Sequence, residues 1–218
     1  MATFYSPRMI TDGLILCYDA ANVRSYPGSG TSITDLSSNG KSGTLANGPT
    51  FTSSNGGGVV LDGVNDWIDI SNSSSFITGT NPFTIESWTN KTSGSYGAIL
   101  GNYGTGYGNG LWWATAGLYI QGAVYHSDYA NSMAGVHHSA VTRDGSGNVV
   151  LYRDGVQVGT GVLSSSIPSG INWRIGADVN GGAEALTGHI YVVKAYNKVL
   201  TSTEIAQNFN SLRTRFGV

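Results

Sequence analysis

Charge is what this sequence lacks most. Acidic and basic side chains make up 11% of the 218 residues, against about a quarter in an average globular protein. A formal net charge of −2 gives no long-range attraction for phosphate backbones or anionic lipid, so nucleic acid and membrane surfaces are set aside as partners. Glutamate occurs only as Glu86, Glu184 and Glu204. The one cysteine, Cys17, excludes an internal disulfide, and its place in the apolar run GLILCY marks a small buried side chain rather than a nucleophile. No apolar run is long enough to span a bilayer, and the opening MATFYSPRMITDG has no signal-peptide core. Synthesis in the cytoplasm without a signal peptide is expected.

Glycine, at 32 residues, and Ser, Thr and Asn fill much of what remains. Between these turn formers lie short apolar or alternating runs, among them Gly13 to Tyr18, Val59 to Leu61, Trp67 to Ile70, Phe83 to Thr89, Val136 to Arg143, Val149 to Arg153, Val156 to Val158 and Leu186 to Ala195. Many short strands with no helical period between them predict an all-β antiparallel sandwich rather than a βαβ fold. No boundary interrupts the pattern, so residues 1–218 read as a single domain. The triplet Arg-Asp-Gly occurs twice, in VTRDGSGN and LYRDGVQV. Asp154-Gly155 joins two alternating runs, which predicts a type I′ hairpin, and Gly145 and Gly147 ease a longer loop. The repeat reads as chain geometry rather than chemistry.

One helix is predicted, over 201–213. Thr201 and Glu204 form a capping box, and Ile205, Phe209 and Leu212 fall on one face, expected to pack on the sandwich. Arg213 and Arg215 in its last turn suit the negative end of the helix dipole.

Taken in order, DGLILCYDAANVRSYPGSGT, DLSSNGKSGTLANGPTF, VVLDGVNDWIDI, FTIESW, VTRDGSGNVVLYRDG, GHIYVVKAYNKVLTSTEI and NFNSLRTRFG resemble the laminin-G-like branch of the concanavalin A-like lectin and glucanase superfamily. The resemblance implies a jelly-roll sandwich with FTIESW and HIYVVKAY as core strands. The opening MATFYSPRMITDGL and the ending RFG resemble virion structural proteins of tailed phages of marine bacteria and cyanobacteria. That implies a virion component, on the capsid surface or the tail, whose partners are other virion proteins and further copies of itself. A lectin-like module for host glycans is the alternative.

Glucanase members of the superfamily carry acids at alternating strand positions. Here Glu86 in IESWTN has no acidic neighbour at that spacing, Glu204 is used in the cap, and Asp62, Asp66 and Asp69 lie in a turn-rich LDGVNDWID where Asp serves the local backbone. Hydrolysis is not expected. His137 and His138 would face opposite sides of a strand, and His126 and His189 lack partners at metal-ligand spacing, so all four read as ordinary polar positions. No cofactor is assigned. The resemblance implies calcium at a loop rim, with Asp19, Asp66 and Asp178 as candidates among which nothing selects.

The segment ILGNYGTGYGNGLWWATAGLYIQGAVYHSDYANS concentrates aromatic rings among glycines. Adjacent Trp112 and Trp113 cannot both enter the core from one strand, so one is expected to face outward. Tyr103, Tyr107, Trp112, Trp113 and Tyr125 are the candidate contact residues, with protein contact ahead of glycan contact and the sheet's own packing as the plain alternative.

Overall fold

The computed structural model describes residues 7–94, 96–102, 110–114, 117–120, 124–125, 135–177 and 184–218, with backbone alone for 112–114, 117–120 and 124–125. Two eight-stranded antiparallel sheets stack face to face. Sheet A runs β14 (Val156–Val162), β13 (Asn148–Arg153), β12 (His137–Arg143), β7 (Phe83–Ser93), β16 (Thr187–Tyr196), β5 (Gly58–Asp62), β4 (Thr50–Thr52). Its eighth strand, β1 (Leu14–Asp19), lies beside the second half of β16, whose first half pairs β5. Sheet B runs β11 (Val124–Tyr125), β10 (Gly117–Ile120), β9 (Gly110–Ala114), β8 (Gly97–Asn102), β15 (Trp173–Ile175), β6 (Trp67–Ile70), β3 (Gly43–Ala46), β2 (Ser32–Ile33).

The pleat decides what each strand buries. Phe83 and Ile85 on β7, Val193 and Ala195 on β16 and Val141 on β12 enter the core between the sheets, where they meet Ile68, Leu100, Leu111 and Ile175 from sheet B. The intervening residues Thr84, Glu86 and Trp88 are directed to the other face of sheet A. That face is also dry, because helix α1 (Ser202–Phe216) and the segment around Met9 and Ile10 cover it. Central strands of sheet A are therefore buried on both faces, which explains why β16 carries the nearly continuous apolar run IYVV and why the polar Thr84 and Glu86 of β7 are buried.

The helix begins where its sequence says. The Thr201 side chain accepts from the Glu204 backbone N–H, the Glu204 carboxylate accepts from the Thr201 N–H, and Gly217 at φ 73° ends it in the left-handed region. It continues to Phe216, beyond the expected 213. Its buried residues are Ile205, Asn208 and Phe216, while Phe209 and Leu212 are only partly covered. Phe216 stacks on Trp88 at 4.3 Å between centroids and Phe209 on the same ring at 5.5 Å. Arg215 turns back to Asp19, with Nη1–Oδ1 at 2.7 Å, and donates to the carbonyls of Asn55 and Gly57. It is thus a tether to the sandwich as well as a dipole partner.

Four short strands, β2, β3, β4 and β11, were not legible as runs, and β14 extends four residues past the expected Val158. Among the described residues no helix is long and apolar enough to cross a membrane.

Candidate functional site

Glu86 is the only glutamate on a strand, so its surroundings bear directly on catalysis. It is fully buried, placed by register between Ala140 on β12 and Lys194 on β16. The Lys194 ammonium lies 3.1 Å from Oε2, and His138 Nε2 lies 3.5 Å from Oε1. Asn208 on α1 closes the group from above: Nδ2 donates to Glu86 Oε2 and to the Tyr196 hydroxyl, and Oδ1 accepts from the Ile10 N–H at 2.7 Å. Burial alone would push the Glu86 carboxyl up. The attraction of Lys194 and His138 outweighs it and holds the group below the usual carboxylate range. A charge neutralised beneath a helix has no route to substrate. His138 is correspondingly not the ordinary polar residue expected from the sequence, for it is sealed against Glu86 and Trp88.

The other candidates are held locally. Asp62 Oδ1 accepts from the Val64 and Asn65 N–H groups, and Asp66 Oδ2 from the Asp62 N–H. Burial raises the Asp66 carboxyl above its usual range. Asp144 accepts from the Ser146 and Asn148 N–H groups, an Asx turn in the first Arg-Asp-Gly. In the second, Asp154 and Gly155 both take positive φ, 49° and 79°, as the type I′ turn requires. Asp154 also accepts from the His138 N–H and pairs with His137 Nδ1 at 3.0 Å. Cys17 is buried, and burial pushes its thiol up to about 12.

Of the calcium candidates, Asp19 Oδ1 accepts from Arg215 and Asp66 Oδ2 from the Asp62 N–H. Among the described residues no three His, Cys, Asp or Glu side chains gather. Asp178 and His126 lie outside the described residues.

Of the aromatic contact candidates, Tyr103 and Tyr107 also lie outside them. Trp112 and Trp113 occupy neighbouring positions on β9, opposite Tyr119 and Leu118 of β10, and Tyr125 on β11 pairs Tyr119. The backbone thus brings Trp112, Tyr119 and Tyr125 into one row across three strands.

A neighbouring arrangement on sheet B escaped the sequence reading. Trp67 and Asp69 share one side of β6, and Arg174 stands opposite Asp69 on β15. Arg174 Nε meets Asp69 Oδ1 at 2.6 Å, its guanidinium lies 4.3 Å from the Trp67 ring centre, and Trp67 Nε1 donates to Asp69 Oδ2. The row continues through Gly101 and Gly110, so bare backbone lies beyond the guanidinium. Only the pairing of strands 105 residues apart reveals it.

Comparison with known proteins now bears on this sandwich. A laminin G family model, described as the concanavalin A-like lectin/glucanases superfamily, matches residues 62–206. The chain belongs to that superfamily. Among solved structures, domain 4 of AbnA, a GH43 extracellular arabinanase from Geobacillus stearothermophilus in complex with arabinotriose, superposes with TM-score 0.64 at 15% identity, over 89% of this chain and 97% of that one. The binding domain of Paraclostridial Mosquitocidal Protein 1 gives TM-score 0.70 at 14% identity, over 92% of this chain and 52% of that one. Trypanosoma rangeli sialidase gives 0.66 at 17%, over 93% and 33%. The superfamily member described here therefore spans about half of the toxin domain and a third of the sialidase chain. At these identities the likeness is one of fold. No curated protein sequence matches the chain.

Proposed function

We propose that this sandwich is a non-enzymatic virion component, on the capsid surface as decoration or on the tail as fibre or adhesin, working through contacts with other proteins and with copies of itself. The observation that carries the reading is the edge of sheet A. Strand β14, VQVGTGV, ends that sheet, with Val156 66% and Val162 55% exposed. It has no charge and no proline, the devices by which edge strands ordinarily repel further pairing. Strand β11, bearing Tyr125, lies close beside it. The edge together with Trp112 and Trp113 of β9 and Tyr125 of β11, and with Tyr103 and Tyr107 in the same segment, forms the proposed contact surface. The virion setting draws on the resemblance of the opening and ending segments and on the nearly uncharged composition.

The non-enzymatic part of the proposal draws on Glu86, sealed and charge-paired beneath α1. Incorporation into particles tests it. Thr160→Lys at the edge, and Trp112→Ala and Trp113→Ala in turn, should lower incorporation while the melting temperature stays put. Full incorporation of all three would overturn the contact reading. Recognition of host surface glycans is the second reading, favoured by the fold shared with a domain that holds arabinotriose. Retained incorporation with lost glycan binding would select it.

A further inference from the structure

At one end of the sandwich, the connection between β6 and β7 meets the residue that follows β16. Between them lies an open recess of about 280 Å³, lined by Phe76, Ile77, Thr78, Asn81, Pro82 and Asn197. That is just below the roughly 300–1,000 Å³ common for ligand pockets, a size for one small unit. None of these residues was singled out in the sequence.

Its walls are fixed by bonds that have nothing to do with a ligand. Phe76 packs edge-on against Trp173 with centroids 5.7 Å apart. Gly79 and Ile167 exchange two backbone hydrogen bonds, at 2.7 and 2.9 Å. Arg143, buried, donates Nη1 to the Asn81 carbonyl while Nε and Nη2 hold the Leu163 carbonyl. On the opposite wall the Thr84 hydroxyl donates to the Lys198 carbonyl and accepts from the Leu200 N–H, and the Asn197 N–H donates to the Gly13 carbonyl. A loop pinned at this many points keeps its shape without a ligand, so little ordering cost would fall on binding.

The chemistry facing the recess is neutral and two-sided. The side-chain amides of Asn81 and Asn197 and the Thr78 hydroxyl can each donate and accept, and they make no hydrogen bond to other described residues. Exposed Pro82 and the edge of the largely buried Phe76 supply apolar surface. No lining residue is charged. The nearby cations are engaged elsewhere: Arg143 on carbonyls, and Lys41 on the Asn72 carbonyl with its ammonium 5.8 Å from the Phe76 ring centre. Paired donors and acceptors beside an apolar wall match a sugar ring, whose hydroxyls do both and whose C–H face is apolar.

We propose that this recess is a subsite for a neutral saccharide unit, with Asn81, Asn197 and Thr78 on its hydroxyls and Phe76 and Pro82 against its C–H face. The proposal rests on the glycan-recognition reading and gives that reading a place and a ligand class.

The test applies the full chain to an array of neutral, sialylated and sulfated glycans, with arabinotriose included, and then titrates the strongest binder. A doubly substituted chain, Asn81→Ala with Asn197→Ala, is compared with the parent. Both positions are exposed, so the melting temperature should be unchanged. The expected result is binding of neutral glycans that weakens at least tenfold in the double variant. Undiminished binding in that variant would overturn the recess and leave glycan recognition standing at another face. Preference for anionic glycans would overturn the neutral ligand class. Absence of any saccharide binding by the folded parent would overturn both the recess and the glycan reading.

Discussion

Asn208 on α1 and Glu86 on β7 stand 122 positions apart in the chain and meet across a 2.8 Å hydrogen bond. The same amide group holds the Ile10 N–H and the Tyr196 hydroxyl, and that hydroxyl donates in turn to the Ile10 carbonyl. One side chain therefore joins the first segment, two core strands and the helix.

Replacing Asn208 by alanine would leave several buried polar groups unpaired, each worth about 1–3 kcal/mol. A loss of about 3 kcal/mol is expected, lowering the melting temperature by roughly 6–12 °C for a chain of this size. Calorimetry of the variant measures it directly, and an unshifted transition would mean that water reaches this network.

Stability should form a plateau in pH with a fall on each side. His189, whose proton affinity is lowered by burial from the usual 6.5, takes up a proton less readily in the fold than in the unfolded chain, so stability is lost as pH falls below 6.5. Glu86, held below its usual 4.5 by Lys194 and His138 against the cost of burial, removes more as pH drops further. On the alkaline side the Cys17 thiol, raised by burial from 9.0 to about 12, keeps its proton in the fold while the unfolded chain releases it, so stability declines above pH 9. Denaturant midpoints from pH 4 to 10 trace the profile. Midpoints that rise on acidification would contradict the assignment of Glu86.

The two stacked phenylalanines should separate. Phe216 is 8% exposed and lies on Trp88. Phe216→Ala is expected to cost about 3–5 kcal/mol, and Phe209→Ala visibly less because its ring is only partly covered. Equal losses in urea titrations would show that the helix end frays and that Phe209 is the real anchor.

Gly155 carries a conformational and a steric demand together. Its φ is 79°, and a Cβ there would lie 3.0 Å from the Phe209 ring. Gly155→Ala is therefore expected to destabilise by about 1–2 kcal/mol for the left-handed backbone, with more if the ring cannot yield. Gly145, with nothing within 4 Å of its missing Cβ and no positive φ, provides the neutral comparison.

Much of the sandwich was legible in the sequence because its strands announce themselves by alternation and its turns by Asp-Gly. The capping box at Thr201 and Glu204 placed the helix start to the residue. What stayed hidden has a common cause in long-range pairing. Strand β3, GTLA, is too short and too mixed to signal anything until it pairs Trp67 to Ile70. His138 looks polar in isolation and becomes an interior residue only when β7 and α1 enclose it. Nothing in the helical pattern marks Asn208 for the same reason, since its three partners come from three other segments. The recess around Asn81 and Asn197 joins two connections 116 residues apart, and Asn and Thr in loops carry no signal that distinguishes a turn from a lining.

The placement of α1 also points to an order of assembly. Every strand precedes it in the chain, and the sheets can pair and form their mutual core through contacts that do not involve it. Until it arrives, Glu86, Lys194 and His138 stand on a wetted outer surface, where ions are cheaply solvated. Docking of the 15-residue helix is the step that expels that water and commits the charges to one another. Docking of the helix should therefore be sensitive to ionic conditions, while the long-range strand pairing that precedes it sets the overall rate in topology of this kind.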